Sequence, residues 1–241
     1  MPESWADHTS QSLMMERIRD RQEAGVLLAR KLTFYANRPD VVALALPRGG
    51  VAVGYEIANR LNAPLDVFLV QKLAVPGYEE LTVGAVAMGN VEIIDPQIVE
   101  EFCISRATVE KILGDKRKEL ASTERIYRAG LPALDVRGKN VILVDDGIVT
   151  GGPIRAAVEA LRQLAPVRIV VAVAVAPLAT VLMLAHDADE IVCHLKPRYF
   201  RSVGALYQNF PQLTDEEACR FLKKRVAELQ ESDYGCKHSP C

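Results

Sequence analysis

The stretch Val141-Ile-Leu-Val-Asp145-Asp146-Gly147-Ile-Val-Thr150-Gly151-Gly152 joins an apolar run to two adjacent carboxylates and a glycine-rich turn. Such an arrangement can hold an anion and hydroxyl groups together. A buried parallel strand delivers its C-terminal end to the crevice where open α/β sheets take ligands. Loop N–H groups ahead of a helix, with the positive end of that helix, favour a phosphate. Neighbouring side chains on a strand point to opposite faces, so Asp145 and Asp146 meet one ligand only if the chain leaves strand geometry there, which Gly147 permits. The same residues would also suit a turn with aspartates as helix-cap material, or an acid pair holding magnesium in another nucleotide-binding fold.

With its four apolar residues, two acids and Thr-Gly loop, the stretch resembles the phosphoribosyl pyrophosphate (PRPP) signature of the type I phosphoribosyltransferases. The resemblance implies that Asp145 and Asp146 accept hydrogen bonds from the two ribose hydroxyls. It also implies that Thr150, Gly151 and Gly152 cradle the 5′-phosphate, with Gly147 among the PRPP-binding residues. Leu46-Pro47-Arg48-Gly49-Gly50 is similar to the pyrophosphate loop of the same family. There Arg48, Gly49 and Gly50 would meet the leaving group, since a planar guanidinium makes paired charge-assisted bonds. Alone, Arg-Gly-Gly is an ordinary turn; about a hundred residues ahead of the acid pair, it supports the first match and is supported by it. Gln71-Lys72 lies where the family often places a basic residue that reaches the pyrophosphate, so Lys72 joins Asp145 and Asp146 as a candidate catalytic residue. A solvated lysine at a strand end is the plainer account of it.

The resemblance, to a little-characterised bacterial branch, runs from about Arg17 to Leu229. It also rests on Arg19-Asp20-Arg-Gln-Glu-Ala-Gly25, Val83-Gly-Ala-Val86, and Val203-Gly204 through Tyr207 to Thr214-Asp-Glu-Glu217. Two positions depart from it. Pro153 stands where many relatives carry Thr or Ser, and Val149 stands where purine-using members often have an acid. The segment after the last sheet strand usually recognises the base, which makes Tyr199, Phe200, Tyr207 and Phe210 candidate acceptor-stacking residues, although aromatics in such a segment are more often packing.

The elements that would position these residues follow from the apolar pattern. Val41–Leu46, the helical stretch Val51–Leu61 and Leu65–Val70 read as β, α, β. Val141–Val144, a helix through Leu164 and Val167–Val175 repeat the grammar, followed by a helix (Leu178–Ala185) and a strand (Glu190–Leu195). Fully apolar strands alternating with helices imply a doubly wound, mainly parallel α/β sheet covered on both faces. The expected organisation is an N-terminal helical segment (1–40, with helical spacing from Met14 to Tyr35), an α/β domain (41–213) and a C-terminal helix with a polar tail (214–241). An insertion at about 74–137 would hold a hairpin across Gly89-Asn90 and a charged helix from Pro96 to Arg128, ended by Gly130-Leu-Pro132. Thr214-Asp-Glu-Glu217 has capping-box spacing.

Composition narrows the partners. Hydrophobic residues at 49% and charged residues at 25% fit one folded domain of 241 residues. Twenty-nine basic against thirty-one acidic side chains give no field for nucleic acid or a membrane. No secretory pattern opens the chain, the longest apolar run (Ile169–Leu184) is short for a membrane span, and five scattered cysteines read as reduced thiols, so the cytoplasm is the expected compartment. The tail Cys236-Lys-His238-Ser-Pro-Cys241 offers only three ligands to a metal. No metal ligand is assigned directly, but the resemblance implies magnesium alongside PRPP as co-substrate, carried largely on phosphate and ribose oxygens. The function it implies is transfer of the 5-phosphoribosyl group to an unidentified acceptor with release of pyrophosphate, possible in a homo-oligomer. The alternatives are a non-catalytic PRPP or nucleotide-binding regulator and another magnesium-dependent α/β nucleotide enzyme, such as a phosphatase.

Overall fold

The computed structural model describes residues 16–128, 135–198 and 201–236. Five parallel strands form the central sheet in the order β2-β1-β6-β7-β8: β1 (Val41–Ala45), β2 (Leu65–Val67), β6 (Asn140–Asp145), β7 (Arg168–Val175) and β8 (Glu190–Leu195). The three inner strands are apolar almost throughout and buried, because helices cover both faces and leave no side for polar alternation. From β1 the chain crosses through α2 (Gly49–Leu61) to β2 on one side; from β6 it crosses through α5 (Gly152–Gln163) to β7 on the other. Right-handed crossovers in opposite directions put α2 and α5 on opposite faces. They also make the boundary between β1 and β6 a topological switch point, with a crevice beyond the strand ends.

The N-terminal helix α1 (Arg21–Lys31) packs on α2. It is shorter than the apolar spacing suggests, because Asp20 takes extended geometry and its carboxylate accepts from the Glu23 N–H (2.8 Å), capping the helix there. Upstream, Ile18 forms an isolated parallel bridge with Tyr207, which fastens the segment before the cap to the chain that follows the central sheet. Residues 1–15 lie outside the described residues.

The apolar run Leu65–Val70 serves two sheets. β2 ends at Val67, the buried Phe68 and Leu69 turn the chain, and β3 (Val70–Val75) opens a separate antiparallel sheet with β4 (Tyr78–Ala87) and β5 (Val91–Ile94). This second sheet therefore starts at Val70, ahead of the boundary expected near Ala74; a continuous apolar run carries no mark of a change of sheet. The hairpin turn falls at Gly89-Asn90 as expected, both with positive φ (81° and 58°), the geometry that favours these residues in a tight hairpin.

Two helices replace the single charged helix: α3 (Pro96–Glu101), and α4 (Arg106–Arg128), whose start is capped by the Ser105 hydroxyl accepting from the Thr108 N–H at 3.1 Å. Leu113, Leu120 and Tyr127 are the buried residues of α4, a narrow stripe on an otherwise charged helix. Its end is fastened by Arg128 to Asp66 (2.9 Å) and by the Tyr127 hydroxyl to Asp215 (2.6 Å). Gly130-Leu-Pro132 lies outside the described residues. Helix α6 (Leu178–Leu184) precedes β8, and α7 (Asp215–Cys236) closes the chain. The capping box of α7 forms as its spacing requires, Thr214 Oγ1 accepting from Glu217 N and Glu217 Oε2 from Thr214 N. No helix of the described residues is long and apolar enough to cross a membrane.

Candidate ligand-binding site

The turn after β1 and the loop after β6 meet at the switch point. Gly50 is pressed against the end of β6: a Cβ there would lie 2.7 Å from the Val144 carbonyl oxygen and 3.0 Å from Asp145 Cα. At Gly49 a Cβ would fall 1.8 Å from Asp146 Oδ2, so the missing side chain is the space that the carboxylate occupies. The Pro47–Arg48 peptide is cis, and the Arg48 side chain is exposed at the mouth of the turn. Two sequence motifs separated by about a hundred residues are thus one site.

On the other side, Gly151 caps α5 with φ +80°, a conformation natural only to glycine, and the helix begins at Gly152. The exposed Thr150 precedes it. The first-turn N–H groups of α5 therefore open toward the crevice beside the acid pair. Lys72, on β3, reaches the same place: its Nζ lies 3.1 Å from where a Cβ on Gly152 would be. A cation at a helix N-terminus opposes the helix dipole, and a phosphate between the two would turn that opposition into attraction. Lys72 also lines a cavity of about 770 Å³ between the antiparallel sheet and α5. Arg48 and Pro153 share a smaller one of about 260 Å³ with Gln71, Tyr127 and Asp215.

Asp145 and Asp146 are not splayed to opposite faces. The Asp146 N–H donates to Asp145 Oδ1 (2.8 Å), turning the backbone out of the strand at that step. Burial pushes the Asp145 carboxyl well above the usual carboxylate range, and the neighbouring Asp146 charge adds to it. Asp146 is raised by burial too, but Arg21 opposes the shift. Its Nε donates to Asp146 Oδ2 at 2.7 Å, with side chains only 10% and 13% exposed.

Arg21 is the residue that sequence reasoning left without a role. It sits inside the Arg19–Gly25 motif, whose type and position signalled family likeness but named no partner. Its guanidinium also donates to the Pro211 carbonyl (2.7 Å) and lies 3.8 Å from the centre of the Phe210 ring.

That ring packs against Tyr207 at 4.7 Å between centroids. Tyr207 is 1% exposed, and its hydroxyl donates to the Asp146 carbonyl at 2.7 Å. The expectation that Tyr207 stacks on an acceptor is therefore corrected: it is a buried residue that anchors the acid pair, its hydroxyl pushed up out of its ordinary range by burial. Tyr199 and Phe200 lie outside the described residues, as do His238 and Cys241.

The family model for the phosphoribosyl transferase domain matches residues 16–202, a span that takes in both loops and Arg21. The chain belongs to the phosphoribosyl transferase family. Two Mycobacterium tuberculosis proteins, from strains CDC 1551 and H37Rv and provisionally named phosphoribosyl transferases, are each 35% identical over 218 residues, 90% of this chain. The chain spans about half (49%) of the length of these curated relatives. The crystal structure of TT1426 from Thermus thermophilus is similar with a TM-score of 0.79 at 38% identity, covering 86% of this chain and 98% of that one. The doubly wound, mainly parallel sheet expected from the apolar pattern, and the phosphoribosyltransferase-type fold that the resemblance implied, are the fold observed.

Proposed function

We propose that this phosphoribosyl transferase domain binds PRPP at the β1–β6 switch point and transfers its 5-phosphoribosyl group to an acceptor, releasing pyrophosphate. The observation that carries the reading is the contact of the two loops, with the acid pair between an arginine-bearing turn and a helix N-terminus. In this reading the ribose hydroxyls donate to Asp145 and Asp146, the 5′-phosphate lies on the Thr150–Gly152 loop, and the pyrophosphate lies toward Arg48, Gly49 and Gly50. Departure of pyrophosphate from the anomeric carbon leaves positive charge on the ribose ring, and the protein's work is positioning and electrostatics. Arg48 and Lys72 would balance the phosphates, and the carboxylates would hold the ring in line.

Magnesium fits the donor set, since two carboxylates are the hard oxygen ligands it takes. Bound, it would neutralise pyrophosphate charge. Among the described residues no group of three or more His, Cys, Asp or Glu is gathered, so the ion would come in largely on the ligand's own oxygens.

A second reading, a PRPP-binding regulator without turnover, is favoured by two positions. Val149 is 47% exposed beside the loop and offers no proton acceptor. Pro153 follows Gly152 in the first turn of α5 and brings neither an N–H nor a hydroxyl. A phosphatase with the acid pair on magnesium leaves the close fit of Gly49 and Gly50 without a purpose.

Incubation with PRPP, magnesium and a pool of nucleobases and amines, with pyrophosphate release and product masses followed, separates these readings. A ribosylated product with pyrophosphate supports transfer; PRPP binding without turnover supports the regulator. Arg48→Ala is expected to weaken PRPP and pyrophosphate while leaving ribose 5-phosphate nearly unchanged, because only the first two reach its subsite. Calorimetry showing equal losses for all three would make the turn purely structural.

Pro153→Thr is expected to tighten PRPP by up to roughly 1.5–3 kcal/mol, the worth of a hydrogen bond to a charged group, and to do nothing for ribose without phosphate. Its side chain already faces the cavity that contains Arg48. Titration with no gain for either phosphate ligand would place the cradle elsewhere.

A further inference from the structure

Two adjacent carboxylates that the fold largely buries need a counter-charge, and the chain supplies it from 125 positions away. The Arg21 guanidinium is held in three directions. Its Nε meets Asp146 Oδ2, one terminal nitrogen meets the Pro211 carbonyl, and its face lies on the Phe210 ring. A planar group fixed in this way fixes the carboxylate it grips. The segment that holds Arg21 also holds Asp146 directly, through the Tyr207 hydroxyl on its carbonyl. The same segment is bound to the chain just ahead of α1, by the Ile18–Tyr207 bridge and by Arg17 donating to the Tyr207 carbonyl. Gly49 leaves the room in which the ion pair sits, its absent Cβ being 1.8 Å from Asp146 Oδ2 and 3.0 Å from Arg21 Nε.

We propose that Arg21 is a positioning residue of the ribose subsite, which sets the direction of the Asp146 carboxylate and ties it to the Tyr207–Pro211 segment. This rests on the reading of Asp145 and Asp146 as the ribose-hydroxyl acceptors. A rotated Asp146 carboxylate would miss the hydroxyl it is read to accept.

The test titrates the whole protein and its Arg21→Lys, Arg21→Gln, Phe210→Leu and Asp146→Asn variants with ribose 5-phosphate and, separately, with pyrophosphate in the absence of magnesium. Asp146→Asn is expected to weaken ribose 5-phosphate. Arg21→Lys, which keeps the charge and loses the fork, is expected to weaken it about tenfold, and Arg21→Gln more, toward about a hundredfold. Phe210→Leu, which keeps every charge and removes the ring under the guanidinium, should also lose affinity for ribose 5-phosphate. Pyrophosphate should bind all of them within about threefold of the parent, a difference of well under 1 kcal/mol.

If Asp146→Asn leaves ribose 5-phosphate untouched, the ribose reading fails and this inference with it. If Asp146→Asn weakens the ligand while the Arg21 and Phe210 variants bind it like the parent, the inference alone is overturned. Equal losses for both probes would reduce Arg21 to a structural strap and overturn it as well.

Discussion

Asp145→Asn is expected to stabilise the ligand-free protein at neutral pH and to weaken its binding of PRPP at the same time. The Asp145 carboxyl is raised well above its ordinary value by burial and by Asp146, so the folded chain holds a proton that the unfolded chain releases. The favourable contribution of that proton is complete below the unfolded carboxylate value, near pH 4, and disappears as the pH rises through the higher folded value. At neutral pH the unfolded carboxyl is ionised while burial beside Asp146 opposes that charge in the fold, so folding costs free energy there. An amide of the same shape removes that cost, and a gain of about 0.5–2 kcal/mol is expected, the range typical of relieving strain at a functional site. Denaturant unfolding should show that gain near pH 7 and its disappearance in acid, where the native carboxyl is protonated too.

The same substitution replaces a charged acceptor by a weaker one, and the ribose reading then requires a loss of roughly 1.5–3 kcal/mol in PRPP affinity, on the order of tenfold to 150-fold. A variant that gains stability and binds PRPP as before would remove Asp145 from the ribose site. A variant that loses both would mean that the carboxyl is a structural hydrogen-bond hub, since its Oδ1 also accepts from the Asp146 N–H. The opposite movement of stability and affinity is the signature of a group placed for a ligand.

Gly49→Ala should produce the largest change for the fewest atoms. The added methyl would stand 1.8 Å from Asp146 Oδ2 and 2.4 Å from its Cγ. A flexible side chain would yield cheaply, but this carboxylate is held at 2.7 Å by Arg21 and surrounded by protein. Either the ion pair parts, leaving two buried charges uncompensated, or the turn after β1 withdraws from the end of β6. Overpacking of this kind costs about 1–3 kcal/mol, and separating a buried pair costs more.

Ribose 5-phosphate binding should fall with stability, because both outcomes displace Asp146. Gly114→Ala serves as the control. It lies within α4, where a Cβ meets nothing within 4 Å, and the exchange should stabilise by roughly 0.5–1 kcal/mol. Thermal unfolding that ranks Gly49→Ala level with Gly114→Ala would show that Asp146 moves freely and that the space at Gly49 is incidental.

The two loops and the sheet beneath them were legible in the residues. Val141–Val144 and Val41–Leu46 are continuous apolar runs that only a strand buried on both faces tolerates. The glycines at 49–50 and 151–152 and the acids at 145–146 stand at strand ends where φ, ψ and local N–H direction decide what is possible. These are short-range matters, settled within a few residues of chain. The capping box at Thr214 and the hairpin at Gly89-Asn90 were legible for the same reason. The change of sheet at Val70 was not, because Leu65–Val70 is equally apolar on both sides of it and periodicity registers burial without registering against what.

Tyr207 shows the limit most plainly. An aromatic after the last strand can stack on a ligand or fill the core, and its composition and spacing are identical in both cases; the fold buries it and turns its hydroxyl to the Asp146 carbonyl. Arg21 was visible as part of a motif, but the carboxylate it neutralises stands 125 positions later. Local geometry made the acid pair a candidate ligand site. Only the packing of α1 and the Tyr207–Pro211 segment against β6 decided how its charge is held, because the cost of burying two carboxylates, and the cation that offsets it, exist only once distant parts of the chain exclude water together.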